Sequence, residues 1–341
     1  MSTKRRTLLS AAALVTGSAL FLAGCAGSAD ESPSASGDSG SDVIRVGALT
    51  PGNANDGAFN QALADALAQL EDEGLIEYEL REQMADPATS EPVVADFASQ
   101  GFDLIIGHGL ELGDSIFSVA ADYPDLAFTA SGGPDILEKY TDNVETWTCD
   151  TPQVGYLSGY IAGLTGATPI GRVESLELDF IKFTDQFFQQ GVAAVNPAAE
   201  LLPVVYAGSF DDAEAAAAES TGLIDQGARR IDTTGDGVAA GVGAGASEAG
   251  VLSVGVSAAA GEDALATNVS TVDLDMYPII KAWVEEVAAG DFGGKGVTST
   301  LQNGGIVYSP INDVDGAVPA DAATKVEELI AGLIDGSITI S

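Results

Sequence analysis

Basic residues are scarce: 13 Lys and Arg stand against 51 Asp and Glu in 341 residues, a formal charge of −38. So acidic a surface repels phosphate, which argues against general nucleic-acid binding. Histidine occurs once, as His108, and cysteine twice, as Cys25 and Cys149. A four-ligand zinc site would have to lean on carboxylates, and a Cys–His nucleophile could draw only on Cys149 and His108. The Gly-rich run from Gly235 to Gly245 lacks the Gly-x-Gly-x-x-Gly spacing of a dinucleotide site. Gly293-Gly294-Lys295-Gly296 lacks the spacing and the Ser/Thr of a P-loop, and Asp313-Val314-Asp315-Gly316 lacks the ligand ladder of an EF-hand. With so many acids, chance carboxylate pairs carry no hydrolase signal. No metal or cofactor is expected, and most enzyme templates fit poorly. Apolar residues, by contrast, make up 46% of the chain, enough to bury a substantial core.

Lys4, Arg5 and Arg6 precede an apolar stretch from Thr7 to Ala23, which runs into Leu22-Ala23-Gly24-Cys25. The stretch nearly reaches the ~20 residues of a membrane-spanning helix, but small residues and a Cys at its end favour a signal peptide. Leu-Ala-Gly-Cys matches the bacterial lipobox. Residues 1–24 are therefore expected to be a lipoprotein signal peptide, with Cys25 lipidated and anchoring the chain at the extracytoplasmic face of the cell membrane. Lys-Arg-Arg-Thr-Leu-Leu also resembles a twin-arginine export signal, less completely. Residues 25–42, rich in Ser, Gly, Ala and Asp, read as a flexible tether. Cys149 reads as a small buried hydrophobe.

Beyond the tether, short apolar strands alternate with helix-length segments. Strands are expected at Ile44–Leu49, Leu104–Gly107, Leu126–Ala130, Ile170–Val173, Leu202–Tyr206, Arg230–Thr233 and Leu252–Val256. Between them Phe59, Ala62, Leu63, Ala66, Leu67 and Leu70 fall at helical spacing, as do Leu112, Ile116, Val119 and Ala120. The pattern implies α/β architecture: two Rossmann-like lobes with parallel sheets, nine or ten strands in all, and a cleft between them. Ligands of such sheets bind outside the carboxyl ends of the strands. Two of those loops pair an aromatic with polar groups, Asn55-Asp56-Gly57-Ala58-Phe59-Asn60 and Gly208-Ser209-Phe210-Asp211. Phe59 and Phe210 read either as core or as a stacking clamp for a flat ligand. Thr50, His108, Ser131, Gly235 and Ser257 also follow strands, and His108 is the titratable group among them. Glu285, Glu286, Glu327 and Glu328 read as solvated helix faces.

Asn55-Asp56-Gly57-Ala58-Phe59-Asn60-Gln61 resembles the Asp-Lys-Ser-Phe-Asn-Gln segment of the basic membrane protein family, the PnrA-like solute receptors. Gly101 to Gly107, Tyr206 to Asp212, Gly304-Gly305-Ile306-Val307 and Leu333 to Ile338 resemble further stretches of that family in the same order. The resemblance implies a type I periplasmic-binding-protein fold that closes on a solute and presents it to the permease and ATPase of an ABC importer, without catalysis. It implies two discontinuous lobes, residues 43–149 with about 270–298 and residues 150–269 with about 299–341. The three crossovers would fall near Cys149, Val269 and Ser299. Studied relatives hold purine nucleosides, the base sandwiched by aromatics at positions matching Phe59 and Phe210 and paired with an Asn at Asn60. The family's ribose-binding Asp and Lys fall on Ser257 and Ser270, so ribose should be held weakly or differently. The expected solute is small, flat and polar, either a nucleoside, a nucleobase or a similar ring, and the receptor is expected to act as a monomer. The alternatives are a ligand-sensing lipoprotein of the same fold that signals to a membrane partner, or a receptor for a non-nucleoside solute.

Overall fold

A computed structural model describes residues 43–235, 237–257 and 260–340. The signal peptide and tether expected over residues 1–42, with the lipidation expected at Cys25, lie outside the described residues. The chain runs β1 (Ile44–Leu49), α1 (Phe59–Asp72), β2 (Ile76–Arg81), α2 (Pro87–Ser99), β3 (Leu104–Gly107), α3 (Gly113–Ala120), β4 (Ala127–Ser131) and β5 (Val144–Cys149). It continues with α4 (Thr151–Leu164), β6 (Ile170–Glu174), α5 (Asp179–Val195), β7 (Val205–Tyr206), α6 (Ala213–Asp225), β8 (Arg230–Asp232), α7 (Ala239–Ala249) and β9 (Leu252–Val254). The last third holds α8 (Glu262–Leu265), β10 (Val272–Leu274), α9 (Tyr277–Ala289), β11 (Gly296–Ser299), β12 (Ile306–Tyr308) and α10 (Ala322–Asp335).

The first sheet has the order β2-β1-β3-β4-β5-β11 and the second β7-β6-β8-β9; every pairing in both is parallel. β3 is buried along its whole length, as a strand covered by helices on both faces must be. α1 turns Leu63, Ala66, Leu67 and Leu70 into one core, where Ile279, Ile280 and Trp283 of α9 meet them. The chain leaves the first sheet after Cys149, returns through β10 to place α9 and β11 there, and leaves again after Ser299. β10 and β12 pair antiparallel, with Asp273 opposite Val307. At these crossings Trp147 Nε1 donates to Ser299 Oγ at 2.7 Å and Gln153 Nε2 to Gln302 Oε1 at 3.1 Å.

Two features of the interior are unlike a purely apolar core. α4 and α5 approach so closely that a Cβ on Gly159 would lie 2.0 Å from the Phe188 carbonyl oxygen, and one on Gly191 2.1 Å from that of Tyr156. Gly155, Gly159 and Gly163 recur every fourth residue and so line one face of α4. Beside them β6 and β8 carry Arg172, Glu174, Arg230 and Asp232, all buried, with Arg172 in register with Asp232. Arg172 pairs with Glu174 and, at 2.9 Å, with Asp185, and its guanidinium lies 3.8 Å from the Phe188 ring centroid. Arg230 pairs with Asp232 at 2.9 Å and donates to the Ala162 carbonyl. Buried ions need partners of this kind.

Differences from the sequence reading have local causes. The described residues hold twelve strands rather than nine or ten. The strand expected over Leu202–Tyr206 shrinks to Val205–Tyr206 because Pro203 offers no N–H to a ladder. Glu286 is not on a solvated face: it faces Lys295 and the fully buried Glu145, whose carboxyl burial pushes up to about 7. Cys149 is half-buried at the cleft edge rather than sealed in the core.

Candidate functional site

β1 lies between β2 and β3, and β6 between β7 and β8, so in each lobe the loops after neighbouring strands diverge and leave a crevice. Facing crevices form one cleft of about 490 Å³. Its walls are the carboxyl-end loops: Pro51, Gly52 and Ala58 to Asn60 after β1, Gly109 to Glu111 after β3, Glu174 to Leu176 at β6, Gly208 to Asp211 after β7, and Thr233 to Gly235 after β8. Gly255 and Ser257 follow β9, and Thr271 to Leu274 close the cleft at β10.

Six of the ten candidate residues line this cleft: Phe59, Asn60, Ser131, Phe210, Gly235 and Ser257. Phe59 and Phe210 approach it from different lobes. Asn60, 5% exposed, donates from Nδ2 to Asp56 Oδ2 at 2.8 Å, while its Oδ1 has no hydrogen-bond partner. Ser257, 2% exposed, likewise has an unpartnered Oγ. Buried polar atoms are rarely left so, which marks both as groups awaiting a ligand or water. The Ser131 hydroxyl is already committed, accepting from Gly109 N at 2.6 Å, and thus shapes the loop after β3.

The other four do not reach the cleft. Thr50 is fully buried and its Oγ1 donates to Gly52 O at 3.0 Å. Both carboxylate oxygens of Asp56 are spent on the start of α1, accepting from the backbone N–H groups of Ala58, Asn60 and Gln61. That suits an anion at a helix N-terminus. Ser270 is buried with its Oγ donating to Ser309 O at 2.7 Å, so it holds the β10 crossing rather than a solute. His108 is 1% exposed and sits behind Phe59: the rings stack with centroids 3.9 Å apart, and Nε2–H donates to Phe59 O at 2.9 Å. Burial holds its pKa down at about 4, so the ring is neutral and supports Phe59 from behind.

The structure also brings in residues that the sequence reading passed over. Trp147 ends the row behind Phe59, 5.4 Å from His108, and lines the cleft together with Phe180. Glu174 reaches the floor, its Oε1 accepting from Thr234 N and Oγ1 at 3.1 and 3.0 Å. Asp273 lies on β10, where burial and then the charge of Asp56 push its pKa up to about 6. The only hint of Asp273 in the sequence is the alternation of Val272-Asp273-Leu274, too short to place on a sheet. Among the described residues no group of His, Cys, Asp and Glu is arranged to hold a metal ion, and no helix is long and apolar enough to cross a membrane.

Two parallel-sheet lobes joined by crossings around an inter-sheet cleft make the type I periplasmic-binding-protein fold, the architecture of extracytoplasmic solute receptors. A family model described as ABC transporter substrate-binding protein PnrA-like matches residues 43–326, and the chain belongs to that family. Members of that family are substrate-binding proteins of ABC transporters, which bind rather than catalyse. A solved ABC transporter solute-binding protein from Conexibacter woesei is 37% identical, with a TM-score of 0.79 over 87% of this chain and 98% of its own. Another, from Aeropyrum pernix, shares the fold at 20% identity, with a TM-score of 0.73 over 87% and 93% of the two chains. TsgA13 of Haloferax volcanii, named as an ABC transporter glucose-binding protein, is 30% identical over 188 residues, 55% of this chain. The chain spans less than half, 46%, of that relative's length.

Proposed function

We propose that this receptor closes its lobes on a small, flat, polar ring of nucleoside or nucleobase type and delivers it to an ABC permease and ATPase, acting as a monomer tethered to the membrane through lipidated Cys25. The observation that carries the solute class is the pair of Phe rings, Phe59 from one lobe and Phe210 from the other, lining one cleft beside the unpartnered Asn60 Oδ1. Two apolar faces with a carbonyl at the edge suit a ring that stacks and donates N–H groups in its own plane. A hexose is the second reading, favoured by the glucose-binding name of the Haloferax volcanii relative. Sugars also stack on aromatic faces, and Trp147 and Phe180 offer further ones.

A melting screen against nucleosides, free bases and hexoses separates the two. A ligand at a hundred times its Kd adds about 2.7 kcal/mol, which is visible as a shift of several degrees. Shifts with nucleosides or bases and none with hexoses support the first reading; the reverse pattern replaces it with the second. For the anchor, Cys25→Ser should move the protein from the membrane to the soluble fraction. Retention of that variant in the membrane fraction would refute lipidation at Cys25.

A further inference from the structure

The cleft is lined by four acidic side chains, Glu111, Glu174, Asp211 and Asp273, and by no Lys, Arg or His among the described residues. Their situations differ. Glu174 is bound by Arg172 and Thr234, and its charge is neutralised on the spot. Asp211 is exposed at the rim. Asp273 stands on a strand joining the lobes, half-buried and, like Glu111 in the loop after β3, without a hydrogen-bond or ion-pair partner among the described residues. Val272, Asp273 and Leu274 of β10 all line the cleft; Val272 and Leu274 also pack against the apolar cores, which leaves Asp273 as the polar side chain that this strand offers there. Three unpartnered buried polar atoms, Asn60 Oδ1, Thr151 Oγ1 and Ser257 Oγ, belong to residues that line the same space.

We propose that Asp273 is the specificity-determining carboxylate of the cleft, accepting from paired hydroxyls or N–H groups of the solute, and that the solute carries no phosphate or other anionic group. The inference rests on the proposed function and deepens it. An ionised carboxylate is acceptor-only, so its natural partner is a pair of donors, and such charge-assisted bonds are the strong ones. A phosphate entering the same space would meet carboxylates and find no cationic side chain. Helix N-termini do open on the cleft and would favour an anion. Those of α1 and α4 are already occupied by carboxylates, Asp56 and Asp150. The charged group whose field reaches Asp273 is Asp56, across from it in the first lobe, and it repels an anion as well. His108 is held neutral and buried and does not compensate.

The test is a melting and calorimetric comparison of matched pairs: adenosine and adenosine monophosphate, uridine and uridine monophosphate, glucose and glucose 6-phosphate. The unphosphorylated member of a pair should bind and its phosphorylated partner should not; equal binding of a phosphorylated member overturns the inference. For whichever neutral probe binds, Asp273→Asn should lower affinity by about tenfold or more. Glu327→Gln, which removes one charge from the exposed face of α10, serves as the control for net charge. The wild-type affinity should fall as pH drops below about 6, where Asp273 takes up a proton, and the profile of Asp273→Asn should be flat. If Asp273→Asn does not fold, the wild-type profile decides: affinity constant from pH 5 to pH 8 overturns the inference. A panel in which no member shifts the melting point defeats the proposed solute class and this inference together. Neutral binding that survives Asp273→Asn undiminished defeats this inference alone.

Discussion

Phe59 and Phe210 were equivalent in the sequence, each an aromatic in a polar loop after a strand, but their surroundings differ. Phe59 stacks on His108 and packs against the core of the first lobe, whereas Phe210 lies half-buried in a loop with no ring contact among the described residues. Phe210→Ala should therefore cost about 1–3 kcal/mol of solute affinity, as loss of a stacking face does, and leave the unliganded melting point in place. Phe59→Ala should lose affinity too, and also about 2 kcal/mol of unliganded stability, because its ring fills space over His108. Titration calorimetry with melting of the free protein separates the two; equal effects on stability would show that the asymmetry is wrong. His108 gives a second test. Its folded pKa, about 4, is depressed below the unfolded value, so between those pH values only the unfolded chain takes up the proton. Stability is lost as pH falls through about 6.5 toward 4, by about 2 kcal/mol at pH 5. His108→Gln should remove that part of the acid sensitivity. Urea titrations of both proteins at pH 7 and pH 5 measure it, and identical losses would mean that the imidazole is not buried as described. What the sequence concealed at this scale was direction: Thr50, Asp56, His108 and Ser270 all follow strands or flank helices, as solute ligands do. Each was captured by a nearer backbone partner, and no spacing rule reports which way a side chain turns.

Elements buried on both faces were legible, because an apolar run such as Leu104-Ile105-Ile106-Gly107 has one plausible place in a parallel sheet. β2, Ile76-Glu77-Tyr78-Glu79-Leu80-Arg81, was not, since an edge strand half in water alternates with charge. β10 and β12 are three residues each and owe their existence to one another, a long-range pairing that composition does not announce. The use of α4 was hidden: Gly155, Gly159 and Gly163 weaken a lone helix and make sense only against α5. That contact is testable. With the Phe188 carbonyl oxygen 2.0 Å from where a Cβ would be placed, Gly159→Ala forces α4 from α5. The expected cost is about 3 kcal/mol, far beyond the slight gain in helix propensity. A denaturant melt in which Gly159→Ala is neutral or stabilising would show that the two helices are further apart than described.

Across the whole molecule, charge and closure are linked. A chain with 51 acids and 13 bases is strained by self-repulsion, and part of that repulsion lies where the lobes approach each other. Asp56 belongs to the first lobe and Asp211 to the second, and the Asp211 pKa is raised by burial and then by the charge of Asp56. A Cβ on Gly52 in the first lobe would lie 3.7 Å from Asp211 Oδ1, so the two lobes meet close to these carboxylates. Closing on a neutral solute tightens this contact without supplying a counter-charge. Screening should therefore favour closure: from low salt to 1 M the Debye length drops to about 3 Å, and repulsion between partly exposed carboxylates is largely removed. The affinity for an uncharged probe should rise about two- to fivefold from 0.05 to 1 M sodium chloride, a change worth roughly 0.4–1 kcal/mol. Sodium chloride is the right salt, because sulfate would strengthen apolar burial as well. Asp211→Asn should bind more tightly at low salt and show a flatter salt profile, which assigns the effect to this pair rather than to net charge. A solute held mainly by ion pairs would behave in the opposite sense, its affinity falling as salt rises. Salt titrations of the wild type and Asp211→Asn with the same neutral probe therefore test whether the acidic surface opposes lobe closure, and they would refute that coupling if the two profiles coincide.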